Sequence, residues 1–135
     1  MAQGGGSGGP IIIIPQLTYT FSSPDKLSTS ASDNKLIPWQ IGRNNVVSKA
    51  TANVKTPAPV GADVTIDVKL MNRTTGAVIS TLGTITIPAG ALLPAAPLTF
   101  TPTLVPDTQA LAIFVTQVGS PGTEGTDLTV QVFLG

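Results

Sequence analysis

The chain has 135 residues, with seven Lys and Arg balanced by seven Asp and Glu, no cysteine and no histidine. Only 10% of it is charged, against roughly 25% in ordinary globular domains, so it lacks the basic footprint that nucleic acid or an anionic membrane requires. The absent cysteines exclude disulfides and thiolate chemistry, and the absent histidine removes the usual general base and the commonest zinc ligand.

The length fits one domain with a core of its own. A surface so poor in charge implies that copies of the chain or a larger assembly cover much of the exterior. The plain alternative is a monomer with a surface of Thr, Ser and Asn. No cationic stretch precedes an apolar run at the start, and no apolar run approaches about 18 residues. The expectation is a protein made and used in a cytoplasm, or joined to a particle assembled there.

Residues 1–15 read as a flexible Gly-rich tether followed by an Ile-rich arm. The opening MAQGGGSGGP cannot carry a core. Ile11, Ile12, Ile13 and Ile14 then stand between Pro10 and Pro15. Each proline removes a backbone donor, so a central-strand position is costly. Four adjacent isoleucines favour extended backbone and want a partner surface, either another subunit or a capsid shell. The rival expectation makes this run the first strand of the core.

Residues 16–135 read as one β-sandwich domain. LTYTFS alternates Leu17, Tyr19 and Phe21 with polar residues, and SSPDKLSTSASDN over 22–34 is turn and loop chemistry. In VVSKATANVK, Val46, Ser48, Ala50, Ala52 and Val54 form one small or apolar row, and Val47, Lys49, Thr51, Asn53 and Lys55 form the other. TPAPVGA breaks that strand. DVTIDVKLM turns Val64, Ile66, Val68 and Leu70 inward. NRTTG is a hairpin loop in which Gly76 takes positive φ. Short strands follow at AVIST and TITI, then a Pro-rich link, then LTFTPTL as a strand or edge that Pro102 interrupts. QALAIFVTQV is apolar on both rows and is expected to be covered on both faces. After the loop GSPGTEG, TDLTVQVF closes the domain with Leu128, Val130 and Val132 on one row. No stretch keeps a helical period. The fold class expected is all-β, an antiparallel β-sandwich of jelly-roll type with an extended N-terminal arm.

Asp63 and Asp67 share a strand face about 13 Å apart, too far for a glycosidase pair, and read as solvated surface charges. Glu124 and Asp127 lack the regular oxygen ligands of a calcium loop. Ser48 and Lys49 are adjacent, so they face opposite sides of a strand and form no dyad. No enzymatic activity, no cofactor and no metal is expected. The one cluster of interest is Trp39 with Gln40, Arg43 and Asn44. Its ring serves either as a core plug at one end of the sandwich or as an interface anchor or glycan platform with polar neighbours.

Trp39, Val47, Ala52, Val54, Pro59, Gly61, Asp67 and Val68 form one spaced set, and Gln117, Val118, Gly119, Ser120, Gly125, Leu128, Thr129 and Val130 a second. In this spacing, the stretch from Trp39 to Leu134 resembles a small β-sandwich module common in structural proteins of tailed bacteriophages. The VGS…G…LTV hairpin is the distinctive part. The turn at NRTTGAVIS and the Pro-rich AGALLPAAPLTFTP link depart from the pattern. The resemblance implies a virion protein with no catalytic residues, in a family whose modules often form trimers. The expected function is a capsid decoration or cement protein, bound to the major capsid protein or another virion protein through Ile11–Ile14 and self-associating as a homotrimer. The alternative is a tail-fibre or receptor-binding module that recognises host surface glycan. Neither reading calls for nucleic acid or a membrane.

Overall fold

The computed structural model describes residues 18–27, 40–58, 62–118 and 125–134. The tether and arm over 1–15 lie outside these residues. Eight strands are formed: β1 (Thr18–Lys26), β2 (Gln40–Ile41), β3 (Asn45–Asn53), β4 (Val64–Asn72), β5 (Val78–Ile87), β6 (Leu98–Val105), β7 (Gln109–Val118) and β8 (Thr126–Leu134). They make two four-stranded sheets, in the orders β1-β8-β3-β6 and β2-β7-β4-β5. All pairings are antiparallel. The fold is therefore all-β and sandwich-like, and no helix occurs among the described residues.

The pairings follow a simple rule. β1 pairs with β8, β2 with β7, β3 with β6 and β4 with β5. This is the pattern of one long hairpin bent back on itself. Two further pairings, β3 with β8 and β4 with β7, join the folded halves into the two sheets. Side chains from both sheets meet in a single cluster, with Phe21, Val47, Val130 and Val132 from one and Ile66, Val68, Ile85 and Leu111 from the other. One contiguous cluster of this kind is the core of one domain.

Alternation places most of these residues without help. Val64, Ile66, Val68 and Leu70 of β4 are buried, as are Leu128, Val130 and Val132 of β8. The hairpin after β4 also follows its chemistry. The Asn72 carboxamide oxygen accepts from the backbone N–H groups of Thr74 and Thr75 at 2.9 and 3.0 Å. Gly76 closes the turn at φ 74°, a conformation a Cβ would strain.

Three expectations are corrected. The first is that the rows of β3 run unbroken: Val46 is exposed while Ala50 and Ala52 of its row are buried, and Val47 of the other row is fully buried. The β3–β8 register runs Val47 opposite Leu134, then Lys49 opposite Phe133. Ser48 is thus an extra residue, a bulge that reverses the phase of everything before it. Second, Ser22–Lys26 belongs to β1 rather than to a loop. β1 is an edge strand, where a missing N–H is tolerated, and Pro24 sits in a register shift between Ser23 and Lys26. Third, AVIST and TITI are one strand, because β5 continues through Leu82 and Gly83 along β4 with two small shifts.

β7 is buried along both rows in its first half. Ala110 and Ala112 are covered within the single chain, on the face opposite the core residues Leu111 and Ile113. Its two apolar faces therefore need no neighbouring copy.

Candidate functional site

The chain passes between the sheets from β2 to β3 in three residues, and the first and last of them are tied to the turn between β6 and β7. The Gly42 N–H donates to the Gln109 carbonyl at 2.8 Å and the Asn44 N–H to the Val105 carbonyl at 2.9 Å. A Cβ on residue 42 would lie 2.1 Å from the Pro106 carbonyl oxygen, so only glycine permits this approach. Asn44 takes φ 58°, and its side-chain oxygen accepts from the Asp107 N–H at 3.2 Å. Asn is one of the few residues that adopts this conformation readily.

The crossing leaves a depression of about 100 Å³ at this end of the sandwich, lined by Thr18, Tyr19, Gln40, Arg43, Asn45 and Leu134. Four strands meet there: the start of β1, the end of β8, β2 and the start of β3. The Gln40 amide N–H donates to the Thr20 carbonyl, which bridges the two sheets and leaves the amide oxygen as an acceptor. The Arg43 guanidinium is exposed and forms no ion pair among the described residues. Tyr19 packs in the core, 5% exposed, and its hydroxyl is buried with no hydrogen-bond partner among the described residues. An unpaired buried hydroxyl costs about 1–3 kcal/mol. Such a group invites a partner from outside.

Of the residues the sequence singles out, Gln40 and Arg43 line this depression, whereas Asn44 is spent on the Asp107 turn. Trp39 and Ile11–Ile14 lie outside the described residues. Thr18, Tyr19, Asn45 and Leu134 carry no local signal, because strand pairing brings them together across the chain. Tyr19 reads locally as one more member of a core row.

Asp63 and Asp67 are half-buried and bonded, not freely solvated. The Asp63 carboxylate accepts from the Ala89 N–H at 3.0 Å, which ties the entry of β4 to the link after β5. Asp67 accepts from the Thr84 hydroxyl at 2.7 Å and lies 3.8 Å from the Lys69 ammonium. Lys69 in turn sits 4.7 Å from the centre of the Phe114 ring. These contacts hold β4 to its neighbours on the outer face. Among the described residues no group of three or more acidic, His or Cys side chains is gathered to hold a metal ion. No protein-family model, curated protein or solved structure matches the chain.

Proposed function

We propose that this is a non-enzymatic structural protein of a bacteriophage particle, a decoration or cement protein. Ile11–Ile14 bind the capsid as an extended arm, and the domain associates with copies of itself as a homotrimer. Its place is the virion, assembled in the host cytoplasm. The observation that carries this reading is the outer face of the first sheet. Three rows cross it: Thr18–Phe133–Lys49–Thr99, Thr20–Gln131–Thr51 and Ser22–Thr129–Asn53. Lys49 is the one charged side chain in them. Beside them Val46 stands opposite Leu104, both exposed. A broad, nearly uncharged face with exposed aliphatics suits burial against another protein surface better than solvation as a monomer.

The two sheets are read here as a jelly roll. Support comes from the four nested pairings, first strand with last and so inward, which a rolled eight-stranded hairpin produces. This architecture suits a rigid module that presents its faces and one free end.

The test is made on particles. Phage purified from bacteria carrying the gene should contain peptides of this chain in fixed ratio to the major capsid protein. A version lacking residues 1–15 should remain in the unbound fraction. A full-length chain absent from particles overturns the proposal.

A further inference from the structure

We infer that the depression between Tyr19 and Arg43 is a binding site for a carboxylated sugar residue. The inference is independent of whether the chain belongs to a head or a tail. At about 100 Å³ the depression is well below the volume of a drug-sized pocket, so it holds one unit at the end of a longer ligand. Arg43 sets the charge. Its guanidinium has no carboxylate partner among the described residues, and its planar fork matches a carboxylate in two parallel bonds.

The remaining walls argue for a sugar over a bare anion. Gln40 offers a free amide oxygen, Asn45 a whole carboxamide, and Tyr19 a hydroxyl that both donates and accepts. An inorganic anion or a bare carboxylate would use the donors alone. A polyhydroxylated ring uses both kinds, and its C–H face can lie on Leu134. Tyr19 lines the depression, and its hydroxyl is buried with no hydrogen-bond partner among the described residues; a ligand hydroxyl or carboxylate that opens a path to it supplies that partner. The site is preorganised, since the Gln40–Thr20 contact joins the sheets and the Gly42 and Asn44 bonds fix the backbone on both sides of Arg43.

The experiment is a titration of the isotope-labelled full chain with glucuronate, glucose, acetate and phosphate, followed by amide chemical shifts. Glucuronate should give saturable shifts centred on Thr18, Gln40 and Asn45, with glucose and acetate at least about tenfold weaker. Arg43→Gln lies on an exposed position and should weaken glucuronate about tenfold or more. Tyr19→Phe should weaken it about threefold to tenfold with an unchanged folded spectrum. Three results overturn the inference: glucose or phosphate binding as tightly as glucuronate, shifts centred elsewhere, or Arg43→Gln with full affinity.

Discussion

Gly42 and Tyr19 show how single atoms set the character of this end of the molecule. A methyl group on residue 42 would lie 2.1 Å from the Pro106 carbonyl and 2.7 Å from the Val105 side chain. The first obstacle is backbone held by the turn before β7, so the strain cannot be relieved by a rotamer change. Gly42→Ala should therefore cost about 1–3 kcal/mol, read as a lower urea midpoint with an unchanged slope. Tyr19→Phe should go the other way. It removes a buried hydroxyl that has no partner among the described residues, keeps the ring in the core, and should raise stability by up to about 1 kcal/mol. Loss of stability on that change would mean that the hydroxyl is bonded in solution.

At the scale of the strand, the bulge in β3 decides which valine the core receives. Val47 is fully buried, and Val46 is 39% exposed on the outer face opposite Leu104. Val47→Ala should cost about 2 kcal/mol through lost burial and a residual cavity, and Val46→Ala less than about 0.5 kcal/mol. Chemical denaturation of the two variants side by side checks the phase directly. Equal costs, or the opposite order, would place the strand in the unbulged register. The same reasoning explains why β1 accommodates a proline. An edge strand has one side without ladder partners, and the shift between Ser23 and Lys26 absorbs the lost donor. β4 has neighbours on both sides and no proline, and its alternation is unbroken from Val64 to Leu70.

For the whole molecule, the questions are what the faces and the arm do. Among the described residues the core cluster begins at Tyr19, so removing residues 1–15 should leave the thermal midpoint within about 2 °C. Under the proposed cement role, the full chain should bind phage particles and the truncated protein should not. Unfolding of the truncated protein would return the four isoleucines to the core. Self-association is tested separately by sedimentation at micromolar concentration, where the full chain should run at about three times its 13.7 kDa mass. Leu104 is 51% exposed, so Leu104→Lys should break the assembly with little change in midpoint. A stable monomer before any substitution would remove the case for a trimer. That case stands on the outer face of the first sheet and not on β7, whose second apolar row is already covered at Ala110 and Ala112.

Alternation by itself determined the all-β class, the inward rows of β4 and β8, and the turn at Asn72–Gly76. Each of these depends on neighbours a few residues apart, and period two or turn chemistry is a local property. Composition likewise set the low charge and the absence of the commonest catalytic side chains. The bulge at Ser48, the strand through Pro24 and the continuity of β5 were decided by partners distant in the chain, since a register exists only between two strands. The depression has the same origin. Gln40 and Arg43 could be picked out as polar residues beside Trp39, but Thr18, Tyr19, Asn45 and Leu134 acquire a shared role only when β1, β3 and β8 are laid side by side. Tyr19 makes the point most plainly: its ring is written in the alternating pattern of its own strand, whereas the isolation of its hydroxyl follows from the packing of the two sheets around it.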